Sequence, residues 1–146
     1  MKKVIVFDVD GTLADIEHRM HWIDNKPKNW NAFFSVQHED PPHEEIVWLA
    51  KRLNDADTHI LICSGRSNKF RKVTEDWLLE QGISFDEVFM RKIDDFRPDS
   101  IVKVELLAEI REKYGEPYLW VDDRKTVVEA IRNAGVRVLQ VCEGDY

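Results

Sequence analysis

The chain of 146 residues is long enough for one domain with a real hydrophobic core and too short for two generous ones. Its apolar fraction of 43% excludes a disordered chain, and its formal charge of −7 argues against broad clamping of a long duplex while leaving room for a local basic pocket. No apolar run approaches the roughly 20 residues of a membrane helix, and Met1-Lys2-Lys3 leads into a run too short for a signal peptide, so a cytoplasmic location away from membranes is expected.

In chain order, Val4–Phe7 is a short β-branched and aromatic run, as expected of a strand buried in a parallel sheet, and it ends in Asp8-Val9-Asp10-Gly11-Thr12-Leu13. Ala14–Pro42 is long for a connection inside a compact domain, which marks residues 14–42 as a small cap or lid insertion. Its Trp22, Trp30, Phe33 and Phe34 are expected to form the lid's own small core, with nucleobase stacking as the alternative. His18 and His21 have no metal-ligand partner at the usual spacing and read as solvated or substrate-facing. Ile46, Leu49, Ala50 and Leu53 recur at helical spacing, and a second strand covers His59–Cys63. Phe70, Val73 and Trp77 begin another helical pattern; Lys69, Arg71 and Lys72 beside it read first as a solvated face and second as steering charges for a nucleic-acid end.

A weaker strand covers Glu87–Met90, and Val102, Leu106 and Ile110 mark a helix that starts after Pro98. Tyr118–Val121 is the next strand, Val127, Val128, Ile131 and Ala134 the last helix, and Arg137–Val141 the last strand. Gly82, Gly115 and Gly135 fall where helix C-termini favour a left-handed residue. Cys63 and Cys142 form no redox or zinc spacing and are expected as buried thiols. Strands alternating with helices imply right-handed βαβ units, hence an α/β doubly wound parallel sheet with a small cap insertion after the first strand, all within a single domain of residues 1–146.

In such sheets ligands bind beyond the carboxyl ends of the strands. There the first strand delivers Asp8 and Asp10, two carboxylates whose mutual repulsion a divalent cation relieves. The second delivers Ser64, Gly65 and Arg66: a hydroxyl, a glycine permitting close approach, and a cation suited to phosphate oxygens. The fourth clear strand delivers Asp122 and Asp123, oxygen ligands for a hard cation such as magnesium.

Asp8-Val9-Asp10-Gly11-Thr12-Leu13 resembles the first signature of haloacid dehalogenase (HAD) superfamily phosphatases, Asp-x-Asp-Gly-Thr-Leu/Val, and Ser64, Lys103 and Asp122-Asp123 resemble its second, third and fourth motifs in the right order. The resemblance narrows towards the 3'-phosphatase domain of bacteriophage polynucleotide kinase. The shared features are Phe7–Ala14, Ser64-Gly65-Arg66, Asp99 with Lys103, Asp122-Asp123-Arg124, the Gly144-Asp145-aromatic tail, and an arginine at position 19. It implies a Mg²⁺-dependent phosphomonoesterase in which Asp8 is the nucleophile and Asp10 the acid and base. Ser64 and Lys103 would hold the phosphoryl oxygens, while Asp8, Asp10 (through its backbone carbonyl), Asp122 and Asp123 serve the metal. Asp99 would position Lys103, and Arg19, Arg66, Thr12 and Gly65 would contact substrate. The implied partner is a phosphorylated nucleotide or nucleic-acid end, with a 3'-phosphate first in line.

Each residue also has a plainer reading. Asp8, Asp10, Asp122, Asp123, Ser64 and Arg66 stand where helix caps and helix starts occur, and Asp99 with Lys103 has the i, i+4 spacing of an ordinary surface ion pair. No G-x-x-x-x-G-K-[ST] loop is present in this sequence, so a kinase half is not expected within it. A 5'(3')-nucleotidase or general small-molecule phosphatase shares the same machinery. A non-catalytic phosphate-binding module is the alternative from another class, although it would have no need of Asp8, Asp10 and Asp122 together.

Overall fold

The computed structural model describes residues 1–146. Five strands, β1 (Lys3–Phe7), β2 (Thr58–Ser67), β3 (Glu87–Arg91), β4 (Pro117–Arg124) and β5 (Val138–Gly144), form one sheet in the order β3-β2-β1-β4-β5. Every neighbouring pair is parallel. Helices α1 (His21–Asp24) and α2 (Trp30–Ser35) lie in the insertion. The helices α3 (Glu44–Leu53), α4 (Arg71–Glu80), α5 (Asp99–Lys113) and α6 (Lys125–Asn133) make the crossovers. The doubly wound α/β class expected from the alternation is the one observed.

Strand periodicity sorts the apolar residues into two cores, one on each face of the sheet. Ile5 and Phe7 of β1 and Ile60 and Ile62 of β2 face a core completed by Ala50 of α3 and Trp77 and Leu78 of α4. Val4, Val6, Leu61 and Cys63 face the other, completed by Leu107 and Ile110 of α5 and Val127 and Ile131 of α6. Cys63 is buried as expected, whereas Cys142 is exposed, because β5 is an edge strand of the sheet and most of its residues after Val138 keep some contact with solvent.

Two strands run further than their apolar runs. β2 continues through Ser64, Gly65 and Arg66, and β4 through Asp122, Asp123 and Arg124. Hydropathy stops at Cys63 and Val121, but neighbouring strands still satisfy the backbone beyond them, as in the pairing of Ser64 with Met90 and Asp122 with Gln140. The polar residues therefore project from rigid strand ends rather than from loops.

The insertion is closed at its neck by bridges of Ala14 with Asp10 and with Pro42. It contains α1, α2 and two single 3₁₀ turns at Glu17–Arg19 and Gln37–Glu39. Its Ile23 and Phe33 are buried in the same core as Ile5 and Phe7, so its inner face is continuous with the body. The expectation of a small lid core holds in part: Trp30, Phe33 and Phe34 pack on one another, but Phe33 belongs to the core of the body and Phe34 packs against it, so that core is not separate. Phe33 is 4% exposed, but Trp22 and Trp30 are 39% and 44% exposed and lie outside any core.

Candidate active site

The carboxyl ends of β1, β2 and β4, the first turn of α5 and the base of the insertion converge on one rim. Asp8, Thr12, Ser64, Arg66, Lys103, Asp122 and Asp123 are all buried there, far beyond what solvated surface residues would show. Lys103 Nζ donates to Asp8 Oδ1 at 2.7 Å and to Asp122 Oδ2 at 2.9 Å, which ties the third motif to the first and fourth. The Thr12 hydroxyl lies 3.0 Å from Asp8 Oδ2 and 3.3 Å from Asp123 Oδ1. Asp122 Oδ1 accepts the backbone N–H of Asp123 and Arg124, fixing its rotamer. The plain reading of Lys103 as half of a surface ion pair with Asp99 does not survive this geometry.

Three carboxylates, Asp8, Asp122 and Asp123, offer oxygens that all lie within 4.8 Å of one another. A single ammonium, Lys103, hydrogen-bonds to this group, so its negative charge is incompletely compensated. Burial, and next the Asp122 charge, push the Asp8 carboxyl well above the ordinary carboxylate range, with Lys103 only partly opposing them. Burial and Asp122 raise Asp123 in the same way. For Lys103 burial works against the charge, yet Asp122 and Asp8 outweigh it and hold the ammonium well above its usual value. A close, buried, all-oxygen set with an excess of negative charge suits a hard divalent cation such as Mg²⁺.

Asp10 sits two residues from Asp8 in the opposite electrostatic setting. Arg66 Nη2 and Arg19 Nη2 donate to its Oδ1 at 2.6 and 2.7 Å. Burial opposes its ionisation, but the two guanidinium groups prevail and hold the carboxyl well below the usual range. Its side chain is thus turned towards the arginines, and what it presents near the acidic cluster is its backbone carbonyl, 3.1 Å from the Tyr146 hydroxyl.

The structure brings Arg19, from the insertion, into the centre of this network, where it is fully buried. It also reveals a residue that the sequence did not flag, Asp40 at the far end of the insertion. Asp40 accepts Arg19 Nε and Nη2 at 2.8 and 2.7 Å in a bidentate pair, and Arg66 Nη2 at 3.4 Å. Its Oδ1 is 2.6 Å from His18 Nε2, and its backbone carbonyl takes the Trp77 indole N–H. One carboxylate therefore orients both arginines, and the one available signal was an aspartate immediately before Pro41-Pro42, which reads equally well as a loop residue. Tyr146, noted in the sequence only as the aromatic of the C-terminal tail, also joins the site. Its hydroxyl lies 2.9 Å from Asp123 Oδ2, a contact visible only once β5 is paired with β4.

One expected role changes. Asp99 does not hydrogen-bond Lys103; its carboxylate takes Arg91 Nη2 at 2.6 Å and Arg124 Nη1 at 3.2 Å, because Lys103, four residues on, turns inward to Asp8. Gly65 faces Asp99, and a Cβ there would lie 2.0 Å from the Asp99 carboxylate, so the missing side chain makes room for Asp99. Gly11 is required likewise, with φ +82° and a notional Cβ 2.1 Å from Asp123. Ser64 is buried at the rim, its Oγ accepting the Arg66 backbone N–H at 3.1 Å.

Comparison with known proteins agrees with this arrangement. The profile described as the polynucleotide kinase PNKP phosphatase domain, of HAD type, matches residues 2–146. Among solved structures, a chain of the Pnkp1/Rnl/Hen1 complex is 28% identical with a TM-score of 0.84, covering 100% of this chain and 48% of that one. A second, from the Pnkp1/Rnl/Hen1 RNA repair complex, is 28% identical with a TM-score of 0.82, covering 100% and 44%. The chain thus spans about half the length of those proteins. A haloacid dehalogenase-like hydrolase from Streptococcus pneumoniae shares the fold at 16% identity and a TM-score of 0.66, with 95% and 84% covered. L-2-haloacid dehalogenase from Xanthobacter autotrophicus does so at 17% and 0.63, with 97% and 78% covered. The chain belongs to the polynucleotide kinase PNKP phosphatase domain family and is a phosphatase domain of the haloacid dehalogenase type.

Proposed function

We propose that this domain removes 3'-phosphate from polynucleotide ends or nucleotides, by way of an aspartyl-phosphate on Asp8 and with Mg²⁺ as cofactor. The observation that carries the reading is the placement of Asp8: at the end of β1, its carboxylate held by Lys103 and Thr12, next to the Asp122 and Asp123 carboxylates.

An Asp8 oxygen attacks phosphorus in line, the bond to the substrate 3'-oxygen breaks, and that oxygen leaves with a proton from Asp10. Water then attacks the aspartyl-phosphate, gives its proton to Asp10, and inorganic phosphate departs with the Asp8 carboxylate restored. Lys103 is already within hydrogen-bond distance of Asp8 and, with Ser64, serves the non-bridging oxygens on which charge concentrates. Asp8, the Asp10 carbonyl, Asp122 and Asp123 are the groups that would hold Mg²⁺, which when bound offsets the repulsion between these carboxylates and a phosphate dianion. Arg19 and Arg66 keep Asp10 ionised but also make it a weak proton acceptor, so its role as base too depends on their hold being loosened. Its role as acid requires a substrate phosphate to draw on those guanidinium groups and loosen their hold.

A small-molecule phosphatase or 5'(3')-nucleotidase is the second reading, favoured by the net charge of −7, which disfavours long polyanions. Turnover of a 3'-phosphorylated oligonucleotide, a 3'-mononucleotide, a 5'-mononucleotide and an aryl phosphate separates the two. The proposal expects the 3'-phosphorylated substrates to lead, and equal kcat/KM on all four would sink it.

A further inference from the structure

Trp30 is exposed, yet it is not isolated: it extends a row of half-buried rings, Phe34 and Phe70, that pack against the core. Trp30 stacks on Phe34 with centroids 6.0 Å apart and planes 24° from parallel, and Phe34 in turn lies 5.3 Å from Phe70 at 31°. Phe70 belongs to the body, in the turn after β2 and four residues beyond Arg66, so the row crosses from insertion to body. A lysine stands at each end: Lys28 Nζ is 5.6 Å from the Trp30 ring and Lys69 Nζ 5.1 Å from the Phe70 ring. Neither lysine is paired with a carboxylate, whereas nearby Lys72 is spent on Asp76 and Arg71 on Glu75 and the Val88 carbonyl.

The row is joined to the catalytic rim through one ring. Phe33 makes edge contacts with Trp30 at 5.7 Å and Phe34 at 5.2 Å, and carries the Arg19 guanidinium on its face at 4.2 Å. That guanidinium is bonded to Asp10. A row of aromatic faces bracketed by two free cations, on a molecule otherwise rich in negative charge, complements a chain that alternates flat bases with phosphates.

We propose that Trp30, Phe34 and Phe70, with Lys28 and Lys69, form the track along which the single-stranded segment leading to the reactive 3' end lies. A base stacks on Trp30, the member with most surface to spare, and the two lysines exchange their ring contacts for backbone phosphates. The inference rests on the reading of polynucleotide 3' ends as substrate and adds where the strand runs.

The test uses the whole chain and compares kcat/KM for a 3'-phosphorylated oligothymidylate with that for thymidine 3'-monophosphate. Wild type is expected to prefer the oligonucleotide. Trp30→Ala is expected to reduce that preference roughly tenfold, chiefly through KM, and Trp30→Phe to restore most of it. In Lys28→Ala/Lys69→Ala the salt dependence of the oligonucleotide KM is expected to become shallower. A wild type with no preference overturns the polynucleotide reading, and this inference with it. A wild-type preference that survives intact in Trp30→Ala overturns the track alone, as does a loss that Trp30→Phe does not repair.

Discussion

At the scale of the residue, the informative contrast is between Asp8 and Asp10, separated by one valine on the same strand end. Asp8 is buried among carboxylates and its pKa is driven up; Asp10 meets two guanidinium groups and its pKa is driven down. Asp8→Asn should abolish turnover while far-UV circular dichroism stays native, because the amide keeps the shape but cannot attack phosphorus. Arg66→Ala should raise the Asp10 pKa, because one of the two guanidinium groups that stabilise its carboxylate is gone; carboxyl-carbon NMR titration of Asp10 in the wild type and the variant reads the shift. An Asp10 pKa that stays put would show that Arg66 is not what holds the carboxylate ionised. Asp40→Ala should cost about 3–5 kcal/mol in urea denaturation, since it strands the buried Arg19 and weakens the hold on Arg66.

At the scale of the element, strand ends and one helix turn hold the chemistry, and the insertion is anchored rather than free. Phe33 is the anchor, buried against the body while carrying Arg19 on its ring. Phe33→Ala should destabilise the fold by about 3–5 kcal/mol in denaturant titration and lower kcat as well, because Arg19 loses the surface that orients it. A stability loss with kcat intact would separate the anchor from the arginine. The periodicity of apolar residues revealed the strands and crossover helices, and it failed at the ends of β2 and β4, where hydrogen bonding continues after hydropathy has stopped. It also failed in the insertion, where helices as short as His21–Asp24 complete too few turns to show a period.

At the scale of the whole molecule, the acidic cluster couples folding to pH and to the cation. An aspartate has a pKa near 3.9 when unfolded, and the folded value for Asp8 is higher, so between about pH 4 and that raised value the folded state holds more protons and the cation-free protein loses stability as pH rises. Asp10 has the opposite sign, contributing stability above its unfolded pKa that is lost as acid reaches its depressed folded value. Mg²⁺ at about 100 times its Kd should therefore raise Tm by about 5–10 °C near neutrality, with a gain that shrinks towards pH 5 as protons compete for Asp8 and Asp123. A Tm indifferent to Mg²⁺ at neutral pH would count against the cluster as a cation site.

By itself the sequence determined the parallel α/β frame and the order of the acidic, hydroxyl and basic residues along it, because strand and helix periods and the Asp8–Leu13 signature are local properties of the chain. Only the tertiary structure decided that Lys103 bridges Asp8 and Asp122, that Asp99 turns to Arg91 and Arg124, and that Asp40 and Tyr146 belong to the site at all. Those contacts join residues from 19 to 95 positions apart along the chain for Lys103, and 21 for Arg19 with Asp40. No local pattern encodes such a pairing; it exists because the sheet brings the carboxyl ends of its central strands to one rim and the neck of the insertion returns Asp40 to Arg19 beside it.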